Sequence, residues 1–144
     1  MKVGFACDHG GYPLKEKLKK YLIKEHYEVV DYGTNSLESV DYPDYAKLLC
    51  NGIKKKEVDY GIAICSTGIG ISIACNKVKG IRCAKVDNVK EAKLTRLDND
   101  SNCVALNGSM PAYLAKDILD VFLTTEFSNL ERHIRRIGKL EKWQ

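Results

Sequence analysis

A chain of 144 residues with 44% apolar and 29% charged residues has the make-up of an ordinary globular protein, so disorder is not its default state. The net charge of +4 is modest, and the lysines scatter over helical faces without the basic, aromatic-interleaved stripe that would point to nucleic acid. No apolar run approaches a membrane span, and "MKVGFAC" is too short for a signal peptide, so the expectation is a cytoplasmic protein without a membrane partner.

In chain order, "VGFAC" (3–7) reads as a first strand. Leu14, Leu18, Tyr21 and Leu22 then recur at helical spacing, and "YEVVDY" (27–32) reads as a second strand. "KKKE" (54–57) is most simply a solvated helix end before the strand "YGIAI" (60–64). Past the loop that follows, Ile71, Ala74, Cys75 and Val78 repeat at helical spacing. "IRCAKV" (81–86) and "CVAL" (103–106) are two more strands, with Asp87 expected to cap the helix between them. Pro111 suits the first turn of a helix whose core face is Ala115, Ile118, Leu119 and Phe122, and a last helix covers roughly 129–140. Strands alternating with helices over short links predict one parallel sheet covered on both faces, with no internal repeat or linker.

Six cysteines form no C-x-x-C pair and show no metal-ligand spacing with His9, His26 or His133. Cys7, Cys83 and Cys103 fall in apolar strand-like runs and read as small core residues. Cys65 differs, because it stands where a strand ends and the glycine-spaced "CSTGIGIS" (65–72) begins. If the first strand is central, the loops after strands one and three face each other at the carboxyl edge of the sheet, where such folds bind ligands. Those loops are "CDHGGY" (7–12) and "CSTGIGIS", each leading into a helix whose free N–H groups favour an anion.

On spacing alone, "CSTGIGIS" fits a tight turn, a phosphate cradle, or a cradle around a reactive thiol. It lacks the Lys-Ser/Thr ending of a P-loop, the dinucleotide G-x-G-x-x-G and the arginine of a phosphatase loop. Asp8 and His9 read equally as a helix cap and a satisfied histidine. Arg132 and Arg136, four apart in "ERHIRRIGKLEK" (131–142), are either a solvated face or a guanidinium clamp on a phosphate.

Taken together, "ACDHGGYPLK", "VVDYGTNSLESVDYPDYA", "GIAICSTGIGISIACNKVKGIRCA", "DNDSN" and "RHIRRI" resemble the ribose-5-phosphate isomerase B and galactose-6-phosphate isomerase family over nearly the whole chain, in order. The resemblance implies a single domain over 1–144, a Rossmann-like three-layer α/β sandwich with a five-stranded parallel sheet in order 2-1-3-5-4. It implies no metal or organic cofactor, and a homodimer or dimer of dimers with active sites shared between subunits. Its implied reaction is aldose–ketose isomerisation of a sugar phosphate through a cis-enediolate. Residue by residue, Cys65 matches the proton-transfer base and Thr67 the hydroxyl assisting it. Ser66, Gly68, Ile69 and Gly70 match the loop around the enediolate. Asp8 and Tyr42 match sugar contacts, and His9, Arg132 and Arg136 phosphate contacts, with Asn99 beside them in the substrate site.

Three positions depart from the family pattern. Asp98 stands where many members carry the ring-opening histidine, Ser109 where an arginine is common, and Ser66 where glycine is usual. D-ribose 5-phosphate is the leading substrate, in the pentose-phosphate pathway, with galactose 6-phosphate or another aldose phosphate as alternatives in the same class. A non-catalytic sugar-phosphate-binding protein is the alternative outside that class.

Overall fold

The computed structural model describes residues 1–143. Five strands, β1 (Lys2–Cys7), β2 (Glu28–Asp31), β3 (Tyr60–Cys65), β4 (Cys83–Lys85) and β5 (Cys103–Asn107), alternate with helices. The helices are α1 (Tyr12–Lys24), α2 (Tyr42–Lys54), α3 (Ile69–Asn76), α4 (Val89–Asn99), α5 (Ala112–Thr124) and α6 (Glu131–Glu141). All strand pairs are parallel and the sheet order is β2-β1-β3-β5-β4, the Rossmann-like arrangement that the family resemblance implied.

Period-2 alternation divides the sheet's side chains between two unlike faces. Val3, Phe5, Ile62, Ile64, Val104 and Leu106 meet Leu14, Leu18 and Leu22 of α1 and Ile118, Leu119 and Phe122 of α5. Toward α2 and α3 the sheet presents smaller residues, among them Ala6, Ala63, Cys103 and Ala105, packed on Ala46, Leu49, Ile71 and Cys75. There the helices come close. A Cβ on Gly4 would lie 2.7 Å from Leu49, and one on Gly61 would lie 2.8 Å from Ile53. The small-residue face thus lets α3 sit low, with its N-terminus against the ends of β3 and β5.

The same alternation separates the two strand-end cysteines. Cys7 turns to the large-residue face, where burial pushes its thiol up to about 11, so it stays protonated and donates to the Thr34 carbonyl. Cys65 turns to the small-residue face, beneath the start of α3.

Three local expectations need correction. The cap of α4 is Asn88, whose side chain accepts from the Glu91 N–H at 2.8 Å; Asp87 stands one residue earlier and donates its own N–H to Glu91. The run 81–86 yields only the three-residue β4, because the Arg82 and Cys83 amides go to the side chains of Asn102 and Asn76. Val78 lies beyond the end of α3. Helix α2 carries Ala46, Leu49 and Cys50 on its buried side, a pattern of which the sequence reading named only the lysine-rich end. Among the described residues, no helix is long and apolar enough to cross a membrane.

Candidate active site

Strand order puts the loops after β1, β3 and β5 side by side at the carboxyl edge, and missing side chains let them touch. A Cβ on Gly10 would fall 2.1 Å from the Ser66 hydroxyl, and one on Gly108 would fall 2.2 Å from the Gly10 carbonyl oxygen. The Gly108 N–H donates to the Cys65 carbonyl at 2.8 Å, and the Asp8 N–H to the Ile64 carbonyl at 3.3 Å. The predicted facing of the first and third loops is therefore met in detail.

Cys65 ends β3 and is 4% exposed. Its Sγ accepts the Gly68 N–H at 3.2 Å. Gly68 caps α3 with φ of 77°, a left-handed conformation open to glycine, and a Cβ there would meet the Leu106 backbone at 2.8 Å. The amide is thus locked onto the sulfur by a turn that no other residue makes comfortably. A thiolate accepts such a bond more strongly than a thiol does. Thr67 is exposed, and its Oγ1 takes the Ile69 N–H at 3.1 Å, fixing the hydroxyl beside Cys65 at the helix start.

At the same sheet edge the earlier loops supply polar groups. Asp8 is buried, and its Oδ1 accepts the N–H groups of Gly10 at 2.9 Å and Gly11 at 3.2 Å. The carboxylate therefore caps its own turn. His9 Nδ1 accepts the Val40 N–H at 3.2 Å, so neutral His9 carries its proton on Nε2 and presents a donor there. The same bond pins the segment that delivers Tyr42, the first residue of α2. The Tyr42 ring lies over Gly70, where a Cβ would come within 2.7 Å of it. Cys65, Ser66, Thr67, Gly68, Ile69, Gly70, Asp8, His9 and Tyr42 thus gather at one edge.

Asp98, Asn99, Arg132 and Arg136 do not join them. Asp98 and Asn99 form the last turn of α4, and the chain then enters β5 at its amino end. Cys65 pairs with Asn107 at the opposite end of that strand, about 13 Å away at the usual strand rise. Asp98 faces buried His133 of α6 at 3.4 Å, while Arg132 and Arg136 are exposed on the same helix. The 98–101 turn is rigidly made. Arg82 donates to the carbonyls of Asn99 and Asp100, and Arg96 binds the Asp100 carboxylate and the Ser101 carbonyl, both at 2.8 Å.

A supporting pair went unassigned at the sequence level. The Lys15 ammonium, fully buried, contacts both Asp31 oxygens at 3.0 and 2.8 Å and the Thr34 carbonyl at 2.7 Å. Against the opposing effect of burial, bonds from Lys15 and Lys19 hold the Asp31 carboxyl below its ordinary range. This pair ties α1 to the end of β2 and so anchors the segment that His9 grips. Lysine at a helical core position with an acid at a strand end is the signal that could have found it.

A thiol at the carboxyl edge beneath a helix N-terminus, on the same sheet edge as a carboxylate, an imidazole and a phenol, marks an α/β protein with a ligand site at the usual place for such sheets. The Ribose/Galactose Isomerase family profile matches residues 3–140, and the chain belongs to that family. Ribose-5-phosphate isomerase B of Escherichia coli is 41% identical, with 94% of this chain and 91% of that protein covered. A Clostridium thermocellum ribose-5-phosphate isomerase B structure superposes with a TM-score of 0.96 at 47% identity, covering 99% of this chain and 96% of the other. The Mycoplasma genitalium enzyme, solved with bound ribulose-5-phosphate, matches with a TM-score of 0.93 at 36% identity, covering 99% and 95% of the two chains.

Proposed function

We propose that this chain is an aldose–ketose isomerase interconverting D-ribose 5-phosphate and D-ribulose 5-phosphate, with Cys65 as the base that moves the proton between C2 and C1. The observation that carries the assignment is the Cys65 sulfur, held by the Gly68 amide at the strand end where the next residue, Ser66, touches the Gly10 turn. The open-chain aldose gives up its C2 proton to the Cys65 thiolate, and a cis-enediolate forms. The O2 hydroxyl proton passes to O1 across the cis-enediolate, and the thiol returns its proton to C1, giving the ketose with O2 as carbonyl and regenerating the thiolate. No electron acceptor enters this balance. Developing oxyanion charge falls beside the N-terminus of α3, where the Gly70 amide and the helix dipole favour it, while the Gly68 and Ile69 amides hold the Cys65 sulfur and the Thr67 hydroxyl in place. Thr67 assists the cysteine, Asp8 and Tyr42 hold sugar hydroxyls, and His9 offers its Nε2 proton to the phosphate.

The remaining groups come, on this reading, from a second subunit of a homodimer or dimer of dimers. Asp98, Asn99, Arg132 and Arg136 lie at the wrong edge to serve their own Cys65, yet the 98–101 turn is fastened by two arginines. Beside the site, α3 exposes Ile69 at 54% and Ile73 at 56% next to a groove lined by Tyr42, Pro43 and Val78. An apolar surface bordering a half-complete site supports a partner there. As a carboxylate, the partner's equivalent of Asp98 would accept the anomeric hydroxyl proton during ring opening, and Arg132 and Arg136 would clamp the phosphate. The protein would then act as one domain over 1–144 in the cytoplasm, within the pentose-phosphate pathway.

A coupled assay of the purified protein with ribose 5-phosphate, allose 6-phosphate and galactose 6-phosphate tests the assignment. Ribose 5-phosphate should give the highest kcat/KM. Preference for a hexose phosphate would overturn the substrate, and binding without turnover on all three would leave a sugar-phosphate-binding protein.

A further inference from the structure

Away from the active site, the fold brings together cysteines that sequence spacing keeps apart. Cys83 and Cys103 are direct partners across β4 and β5, so their side chains leave the sheet on the same face. Cys75 descends on them from α3, and the three sulfurs lie within 4.8 Å of one another. Cys50 of α2 adjoins the group, its thiol pointing to the Cys75 carbonyl oxygen at 3.8 Å. Buried cysteines often serve as small apolar residues. Packing alone does not call for sulfurs from three elements converging on one point with a fourth at the rim.

We propose that Cys75, Cys83 and Cys103 form a binding site for a single thiophilic d10 metal ion, of the zinc or cadmium class, distinct from the Cys65 site. Metal–sulfur bonds of about 2.3 Å place coordinated sulfurs roughly 4 Å apart. Sulfurs no more than 4.8 Å apart therefore reach bonding positions with an inward shift below one ångström each. Soft thiolate donors select such ions over magnesium or calcium. An entry route exists: Cys83 is 9% exposed and lines a cleft with Asn76, Arg82, Thr95 and Trp143, whereas Cys75 and Cys103 are sealed behind it. All three are free cysteines that start without a disulfide partner. A thiol binds such an ion as the thiolate, so for each metal–sulfur bond formed from a thiol the S–H bond breaks and its proton goes to solvent. The ion would then tie the end of α3 to the first residues of β4 and β5.

The test uses reduced, metal-free, full-length protein carrying Cys65→Ala, so that the active-site thiol cannot contribute. Titration with Cd²⁺ alone, against a competing chelator, is followed by thiolate-to-cadmium ultraviolet absorption and by proton release. One sulfur-bound Cd²⁺ per chain is expected, displaceable by Zn²⁺. Adding Cys83→Ala, or separately Cys75→Ala, should weaken it on the order of 100-fold or more. Adding Cys7→Ala should leave it unchanged. Circular dichroism identifies any variant that fails to fold, and the parent titration stands without them. No sulfur-bound Cd²⁺ in the parent, or undiminished binding in a folded Cys83→Ala variant, would overturn the site.

Discussion

Gly68→Ala is the substitution whose cost can be worked out most fully from the structure. Two penalties apply at this position. Holding alanine at a φ of 77° costs about 1–2 kcal/mol. The added Cβ would also stand 2.8 Å from the Leu106 carbonyl carbon, where ordinary contact begins at 3.4 Å, so α3 and β5 must part by about half an ångström. Overpacking of this kind costs about 1–3 kcal/mol more. Gly80→Ala is the matched control, because Gly80 has a φ of 86° but nothing within 4 Å of an added Cβ. It bears the conformational penalty alone. Urea unfolding should therefore show Gly80→Ala destabilised by about 1–2 kcal/mol and Gly68→Ala by about 2–5 kcal/mol. The displaced helix start also withdraws the Gly68 amide from the Cys65 sulfur, so kcat should fall only in Gly68→Ala. Equal destabilisation of the two variants with wild-type kcat in both would refute the reasoning.

Asp31→Asn should cost up to about 3–5 kcal/mol at neutral pH, since it leaves the buried Lys15 ammonium only the Thr34 carbonyl and the Glu16 carboxylate, 3.9 Å away and shared with Lys19. Because the folded Asp31 carboxyl titrates below its ordinary value, its contribution is complete above the unfolded value of about 3.9 and fades as pH falls through the folded one; urea midpoints from pH 7 to 2 should show that part of the acid loss in the parent and not in the variant. Arg136→Ala should raise KM for the phosphorylated sugar by about 10- to 150-fold, the equivalent of about 1.5–3 kcal/mol, with little effect on unphosphorylated ribose. Equal losses on both sugars would remove Arg136 from the phosphate site. At substrate far below the raised KM, where Arg136→Ala chains turn over little, mixing them with inactive Cys65→Ala chains should restore about a quarter of wild-type activity, because half the dimers are mixed and each holds one intact shared site. No recovery after verified subunit exchange would place both residues in one protomer's site.

How much of this could be read beforehand depended on whether the determining contacts were local. The strands were legible because apolar runs such as "YGIAI" are bounded by turn residues, and Cys65 stood out because its loop is contiguous in sequence. Strand order was supplied by the family resemblance, since parallel strands are joined over long crossovers that spacing does not encode. Helix α2 was underread although Ala46, Leu49 and Cys50 carry its buried face. The Lys15–Asp31 pair and the Cys75–Cys83–Cys103 cluster were illegible for one physical reason. Their members come from different elements, and only the packed sheet brings them together. Arg82 and Arg96, which shape the 98–101 turn, were hidden in the same way.

The central claim is that the Cys65 sulfur carries the proton between the two sugar carbons. It is tested most directly by following deuterium exchange at the substrate's C2 and C1 in D₂O, together with turnover, for the parent and Cys65→Ala. Removal of a general base lowers the rate by on the order of 10²–10⁴. The variant should therefore lose exchange and isomerisation together by that factor, while still binding a sugar-phosphate inhibitor with near-parental affinity. Wild-type exchange and turnover in Cys65→Ala would contradict the account.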